Sequence, residues 1–260
     1  MKKIFAAVAI AALAVSAGVA QAKEWKEIRF GVDASYAPFE SKAPDGKLVG
    51  FDIDLGNEIC KRVNAKCVWI ENDFDGMIPA LKAKKFDGVL SSMSMTPARE
   101  KEIAFSKKLF NTPTALVAKK GSPLKPTADS LKGKTVGVEQ GTIQETYAKT
   151  YWEKAGVKVT PYQNQDQVYQ DLLSGRLDAA LQDKVQAEIG FLKTPRGAGY
   201  QLVGEDLNDP KVLGEGAGIG LRKQDTDLKA KIDKAIDEIR ADGTYDKIQK
   251  KYFDFDVYGK

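Results

Sequence analysis

Apolar residues in the chain alternate between short runs of strand length and longer stretches with helical spacing. Leu55, Ile59 and Val63 lie on one face of a predicted helix that ends near Asn64. In the first part of the chain, five segments follow in the order strand, helix, strand, helix, strand: residues 28–32, 50–64, 67–70, 74–85 and 86–90. This order predicts a parallel sheet with helices packed against it.

The alternation starts again after residues 111–126, in which no strand is predicted. Strands and helices again follow one another in this second block: residues 135–138, 141–156, 157–160, 166–176, 178–183 and 184–193. The second block therefore predicts another parallel sheet covered by helices.

The last part of the chain is predicted to rejoin the first block. Residues 216–223 predict a returning strand. An amphipathic helix follows, with apolar residues at spacings of three and four: Leu228, Ile232, Ile236 and Ile239. Gly243 interrupts this helix, and Thr244 is expected to cap a last short one.

Two similar blocks predict an α/β protein with two lobes, each a mostly parallel sheet flanked by helices. The predicted first lobe is 23–111 with 215–260, and the second is 112–214. Hinge crossings are expected near residues 111–113 and 214–218. Because ligands bind beyond the carboxyl ends of parallel strands, a site between the lobes is expected.

The N-terminus has the features of a secretory signal peptide. Lys2 and Lys3 precede an apolar run over residues 4–15, and an Ala-Gln-Ala sequence ends at Ala22. We expect cleavage after Ala22; the alternative is an uncleaved membrane anchor. No later segment approaches the ~20 apolar residues of a spanning helix.

Composition narrows the classes of function. The net charge is +4, and both signs are spread evenly, so no nucleic-acid partner is expected. The chain has no histidine and therefore lacks the usual general base of hydrolases. Cys60 and Cys67 favour a disulfide in an oxidising compartment, with two free buried thiols as the alternative. A metal site is not expected.

The sequence "GVLSSMSMTPAR" carries the most distinctive candidate site. Ser91, Ser92 and Ser94 follow a strand, and Thr96 can cap a helix in which Arg99 is the third residue. A guanidinium beside a helix N-terminus suits a carboxylate ligand. The alternative is a capped surface helix with a solvated arginine.

Two features of the second block complement this site. Thr142 follows a strand and precedes a helix, which leaves free backbone N–H groups there. Asp183 ends a strand, where its carboxylate could bind an ammonium group. For both residues, an ordinary helix cap is the alternative.

Acidic and aromatic residues follow strands of the first block. Tyr36 and Phe74 could enclose a ligand side chain, and Asp33 and Asp52 could meet a cation on it. The alternative for the two aromatic residues is packing in the core or at its rim.

Several stretches resemble the periplasmic lysine/arginine/ornithine-binding and histidine-binding proteins, the solute receptors of polar amino-acid ABC importers. They are "DASYAPFESK", "LVGFDIDL", "SSMSMTPAR", "GVEQGTIQET" and "ADGTYDKIQKKYFDFDVYG". The resemblance covers nearly the whole chain after the signal peptide. It implies a type II periplasmic binding protein fold whose two lobes close on one L-amino acid.

The resemblance also assigns roles to residues at the ligand head group. Arg99 is expected to bind the α-carboxylate, helped by the backbone N–H groups of Ser94 and Ile143. Asp183 and Ser94 are expected to bind the α-ammonium, near the Ser92 carbonyl. Relatives commonly carry threonine where this chain has Ile143, a change that removes a hydroxyl contact but keeps the backbone one.

At the other end, Tyr36 and Phe74 are expected to sandwich the ligand side chain. Four residues are expected to meet its far end: Asp33, Ser91, Asp52 and Gln144. An aromatic residue at position 74 favours arginine, lysine and ornithine over histidine. Cys60 and Cys67 match the family's disulfide.

The resemblance implies a periplasmic, monomeric receptor that docks transiently on an inner-membrane ABC permease and needs no cofactor or catalytic residue. The main alternative is an exported cyclohexadienyl-type dehydratase on the same fold. Such an enzyme needs a poised acid where the leaving group sits. A third interpretation is the sensor domain of a signalling receptor, which the lack of a later spanning segment disfavours.

Overall fold

A computed structural model of the chain describes residues 24–259. Two five-stranded sheets, each flanked by helices, and one small three-stranded sheet make up its framework. The predicted signal peptide and its cleavage site lie outside the described residues.

The first sheet and its helices come from both ends of the described chain. Its strands and those of the small sheet are β1 (Glu27–Val32), β2 (Ser35–Tyr36), β3 (Glu40–Lys42), β4 (Leu48–Val49), β5 (Lys66–Glu71), β6 (Gly88–Val89), β7 (Ala104–Phe110) and β13 (Ala217–Leu221). Its helices are α1 (Phe51–Val63), α2 (Met77–Lys82), α3 (Pro97–Glu100), α9 (Thr226–Ala241) and α10 (Thr244–Gln249), with a 3-10 turn at Phe74–Gly76.

The second sheet is formed by one continuous part of the chain. Its strands are β8 (Thr114–Lys119), β9 (Thr135–Glu139), β10 (Lys158–Tyr162), β11 (Ala179–Asp183) and β12 (Tyr200–Leu207). The helices are α4 (Ala128–Leu131), α5 (Ile143–Tyr151), α6 (Gln165–Leu173), α7 (Lys184–Gln186) and α8 (Pro210–Leu213). A π-helical segment at Ala187–Leu192 extends α7, and 3-10 turns lie at Glu153–Ala155 and Pro195–Gly197.

The two sheets have matching topologies. Their strand orders are β5-β1-β6-β13-β7 and β10-β9-β11-β8-β12. In each sheet, the first three strands are parallel, and the last two pairings are antiparallel. The predicted α/β class with a helix-flanked sheet in each lobe is confirmed, and the sheets are mixed because β13 and β8 run antiparallel to their neighbours. The strands β7, β8 and β12 were not predicted.

The predicted helix faces form the core of the first lobe. Leu228, Ile232, Ile236 and Ile239 of α9 are all buried, and Leu55 and Ile59 of α1 pack into the same cluster. One cap prediction was wrong. Gly243, with a φ of 76°, precedes α10, whereas the Thr244 hydroxyl accepts a hydrogen bond from Arg62 at 3.1 Å.

The chain crosses between the sheets at residues 111–113 and again at 208–216. Since β7 pairs with β13 in one sheet and β8 with β12 in the other, the two crossings lie side by side. The second crossing is longer than predicted because it contains α8, which packs against α5. Sheet membership favours the lobe boundaries given above, which remain a prediction.

The two cysteines form a disulfide, Cys60–Cys67, with seven residues of sequence separation. It joins the last turn of α1 to the beginning of β5. The bridge thus closes a short loop at the outer part of the first lobe, and neither cysteine lines the cavity described below.

Replacing both cysteines by alanine is expected to lower the free energy of unfolding. A loop of this length predicts a loss of about 2–3 kcal/mol in the chain-entropy model. Urea unfolding monitored by circular dichroism measures it, with reduced wild-type protein as the matched control. An unchanged unfolding midpoint would contradict the prediction.

Candidate functional site

A cavity of about 380 Å³ lies between the two lobes. This volume is within the range of small-molecule sites. All the residues predicted for the site line the cavity except Asp52: Asp33, Tyr36, Phe74, Ser91, Ser92, Ser94, Arg99, Ile143, Gln144 and Asp183. The structure thus brings residues predicted from both lobes into one cavity.

Direct contacts between the lobes enclose this cavity. The Tyr36 hydroxyl donates to Oε1 of Gln182 at 3.1 Å, and Gln163 donates to Asp73 at 2.7 Å. At another contact, a Cβ atom added to Gly190 would lie 2.3 Å from the carbonyl oxygen of Ala37. The structure is therefore the closed form of the two lobes.

The serine-rich stretch is fixed by the returning chain. Met95 N–H donates to the Gly216 carbonyl at 2.8 Å, and Gly218 N–H donates to the Met93 carbonyl at 3.1 Å. Ser94 lies between these bonds. The stretch between β6 and α3 is thus held at the carboxyl end of the parallel strands, where it lines the cavity.

Arg99 reaches from the first lobe to the second. Thr96 caps α3 by accepting the Arg99 N–H at 3.3 Å. The guanidinium donates to the carbonyl oxygens of Ser94 at 2.9 Å and Gly141 at 3.0 Å, and it lies 5.4 Å from the centre of the Phe74 ring. Within residues 24–259, no carboxylate forms an ion pair with it. Burial lowers the pKa of Arg99 to about 10, so the guanidinium is still charged at neutral pH. Because it has no counter-ion among the described residues, an anion in the cavity would pair with it.

Asp183 serves as a helix cap and also lines the cavity. Its Oδ1 accepts the Gln186 N–H at 2.9 Å, and its Oδ2 accepts the Thr112 hydroxyl. Burial raises the pKa of the Asp183 carboxyl to about 6. No cationic side chain in the described part of the protein pairs with it. The cap fixes the carboxylate, and the cavity leaves it open to a ligand cation.

The N-terminus of α5 forms the facing wall in the second lobe. Thr142 accepts the Glu145 N–H at 3.2 Å, so Ile143 begins the helix with its backbone N–H in the first turn. Gln144 is buried, and its amide donates to the Thr114 hydroxyl at 3.2 Å. Gln144 is therefore held against β8.

The hydroxyls of Ser91 and Ser92 are occupied as donors. Ser91 donates to Glu40 at 3.0 Å and accepts the Asp33 N–H at 2.9 Å. Ser92 lies within 3.3 Å of both Glu40 and Asp52, and its backbone N–H donates to Asp52 at 2.7 Å. Since each hydroxyl has one proton, both serines can offer only acceptors to a ligand.

Asp52 lies behind the cavity wall. It is fully buried in the first turn of α1, under Ser92 and beside Glu40. Burial raises the pKa of Asp52 to about 7, and burial together with the Asp52 charge raises the pKa of Glu40 well above its usual value. This pair is expected to share a proton. In this closed form Asp52 accepts the Ser92 N–H and does not itself line the cavity.

Glu139 and Glu40 line the cavity and were not predicted. Glu139 is the last residue of β9, at the same type of strand end as Asp183, so the rule that found Asp183 could have found it. Glu40 lies in the small sheet, and no sequence pattern marks it. Burial raises the pKa of Asp33, and burial and the charge of Asp33 raise the pKa of Glu139.

No group of three or more Cys, Asp or Glu side chains in residues 24–259 is arranged to hold a metal ion. None of the helices in that range has the length and apolar character to cross a membrane.

The sequence is similar to two periplasmic binding proteins over their full length. The chain is 54% identical over 259 residues to the lysine/arginine/ornithine-binding periplasmic protein of Escherichia coli K12, covering 100% of both chains. It is 51% identical to the histidine-binding periplasmic protein of the same organism, again over 100% of both.

Solved structures show the same fold. An ancestral arginine-binding protein bound to arginine superposes with a TM-score of 0.83 at 40% identity, over 89% of this chain and 100% of that one. An ancestral amino-acid-binding protein described as a precursor of cyclohexadienyl dehydratase has a TM-score of 0.78 at 31% identity, over 88% and 96%.

These likenesses confirm the expected type II periplasmic binding protein fold. The sequence pattern of the family described as "Bacterial extracellular solute-binding proteins, family 3" matches residues 28–255, which is nearly all of the described chain. The chain belongs to the family 3 bacterial extracellular solute-binding proteins.

Proposed function

We propose that the protein binds a cationic L-amino acid between its lobes: arginine, lysine or ornithine, and more weakly histidine. One observation carries the proposal. The enclosed cavity contains an arginine without an acidic partner and carboxylates without a cationic partner, all from the described residues. An amino acid with a cationic side chain supplies the missing charges.

The head group is proposed to lie between Arg99 and Asp183. The guanidinium already uses two of its five N–H groups on carbonyl oxygens, and the others can form a charge-assisted pair with the α-carboxylate. The backbone N–H groups of Ser94 and Ile143 would add to it. Asp183 and Ser94, with the Ser92 carbonyl nearby, would accept from the α-ammonium.

The far end of the cavity is suited to a donor-rich cation. Ser91 offers an acceptor only, and Asp33 lies beside it with its Oδ1 held by Ser35 at 2.6 Å. Tyr36 and Phe74 line the space between the two ends, where their faces can pack on the aliphatic part of the ligand. Gln144 is proposed to contribute its amide oxygen. Asp52 is proposed to act through Ser92.

Ligand binding is proposed to close the lobes, because the residues of the site are divided between them. Arg99, Asp33 and the serines belong to the first lobe, whereas Asp183 and Ile143 belong to the second. A ligand makes both sets of contacts only when the lobes meet, so it shifts the population towards the closed form. The two adjacent crossings are the proposed hinge.

The proposed location is the periplasm, because the similar relatives named above are periplasmic. Export would require the signal peptide, with cleavage after Ala22. A monomer is the proposed form, and its closed lobes would dock transiently on an inner-membrane ABC permease. We further infer that it catalyses no reaction.

The dehydratase alternative keeps one specific observation in its favour: buried carboxyl groups with raised pKa values line the cavity. They lie among serine and carboxylate oxygens, however, which suit a bound cation better than the leaving hydroxyl group of a dehydration. Incubation with prephenate and arogenate distinguishes the two functions. Turnover of either compound would favour the enzyme.

The direct test is calorimetric titration of the mature protein after unfolding and refolding to remove bound ligand. The panel consists of the common L-amino acids and ornithine. Tight binding of arginine, lysine or ornithine, with weak binding of glutamate and leucine, supports the proposal. The absence of binding across the panel would overturn it.

Arg99→Ala and Asp183→Asn are each expected to weaken binding of arginine by at least about 100-fold, because each leaves a buried ligand charge unpaired. Calorimetry measures the affinity. Arg196→Ala, at an exposed arginine that pairs with Asp166, is the control for loss of an arginine. Equal affinity in wild-type protein and either variant would remove that residue from the site, provided that both variants melt like wild type.

Affinity for arginine is expected to fall as the pH is lowered from 7.5 to 5. The Asp183 pKa is about 6 in the ligand-free protein, and pairing with the α-ammonium favours the ionised form. Below that pKa, binding must release a proton, so the affinity falls up to about tenfold per pH unit. The guanidinium stays charged throughout. Titrations in buffers of different ionisation enthalpy count the protons; a flat profile would contradict the expectation.

Gly190→Ala is expected to weaken binding about tenfold by opposing closure, because the new Cβ would overlap the Ala37 carbonyl of the other lobe. Small-angle scattering should give a larger radius of gyration for the arginine-saturated variant than for saturated wild type. Gly199→Ala is the matched control, since a Cβ there meets nothing within 4 Å. A variant that closes and binds like wild type would show that this contact does not limit closure.

A further inference from the structure

Glu139 occupies an unusual position in the cavity. It ends β9 in the second lobe, and only 3% of its surface is exposed. Thr142 donates to its main-chain carbonyl, and no Lys or Arg side chain within residues 24–259 forms an ion pair with its carboxylate, whose hydrogen-bonding neighbour is the carboxyl group of Asp33. A buried carboxylate without a cationic partner is costly, so this side chain needs a physical reason to be there.

The neighbour of the Glu139 carboxyl group in the cavity is another acid. Asp33, from the first lobe, lines the same cavity, and its carboxyl group lies within hydrogen-bonding reach of the Glu139 carboxyl. Asp75 from the 3-10 turn and Asp166 from α6 add negative charge, and the neutral Tyr36 hydroxyl also senses Glu139. Burial and the neighbouring acids therefore both disfavour the ionised form of Glu139 and raise the pKa of its carboxyl group.

We propose that Glu139 is a specificity-determining residue that makes closure of the lobes depend on a positive charge at the far end of the ligand side chain. This inference rests on the proposed function and deepens it. Asp33 and Glu139 lie on opposite lobes, so closure brings the two carboxyl groups together. Without a cation beside them, the two groups either repel each other as carboxylates or must take up a proton, and both costs oppose closure.

A guanidinium or ammonium group between the two carboxylates reverses the sign of this interaction. Each carboxylate then has a partner, and the attraction acts across the boundary between the lobes. A neutral side chain of the same shape leaves the repulsion in place, unless one of the acids takes up a proton. Glu139 therefore penalises neutral ligands in addition to favouring cationic ones.

Arginine and citrulline are the probes that separate charge from shape. They share the α-amino acid head group and chain length, and they differ in the charge of the terminal group. Wild-type protein is expected to prefer arginine strongly. In Glu139→Gln, which keeps the size of the side chain, the ratio of arginine to citrulline affinity is expected to fall on the order of 30-fold.

Glu153→Gln is the matched control. Glu153 is an exposed acid of the same lobe and does not line the cavity, so its substitution changes the net charge by the same amount. Its affinity ratio should equal that of wild type. If Glu139→Gln weakens both ligands equally, Glu139 has only a structural role and the inference fails.

A second measurement needs no variant. Both ligands carry the same α-ammonium, so protons released from Asp183 are common to them. The difference in proton release between arginine and citrulline at pH 5–6 then reports the acids at the far end. We expect arginine to release more protons; equal release would overturn the inference.

The two proposals fail in distinguishable ways. If wild-type protein binds neither arginine, lysine nor ornithine, the proposed function is wrong. If wild-type protein binds arginine and Glu139→Gln retains the same ratio of arginine to citrulline affinity, only the role of Glu139 is wrong.

Discussion

The structure depends on charges that are buried in a closed cavity without protein counter-ions. Arg99 has carbonyl oxygens and an aromatic ring as neighbours but no acidic partner, and Asp33, Glu139 and Asp183 have no basic one. Removing such groups from water is unfavourable unless opposite charge accompanies them. A zwitterion with a further cation satisfies all of them at once. The closed form is thus complementary to one class of molecule and unfavourable without it.

Local structure makes these charges rigid before any ligand arrives. Arg99 is in a helix capped by Thr96, and Asp183 caps the next helix of its own lobe. Glu40 and Asp52 hold Ser91 and Ser92 in place by accepting hydrogen bonds from them. A pre-organised site loses less conformational entropy on binding, so more of the interaction energy is available for affinity.

Cavity residues could be predicted from the sequence where they follow the ends of regular strands. Arg99 and Asp183 were found because parallel strands end at one edge of a sheet. The strand β8 was missed because Pro113 and Gly121 flank its apolar run and suggested a connection. Asp52 could not be separated from the cavity residues, since its position in the first turn of α1 does not reveal the serine loop that covers it. Glu40 comes into contact with that loop only in the folded chain.

The position of β13 constrains the order in which the lobes can form. It lies between β6 and β7 in the first sheet, although it follows the whole second lobe in the chain. Until residues 217–221 are available, β7 has no partner among the described strands and β6 has only β1, whereas the second lobe is one continuous segment. During synthesis, the first lobe must therefore remain incomplete while the second can already be assembled. The same insertion that creates the hinge delays the lobe that carries Arg99.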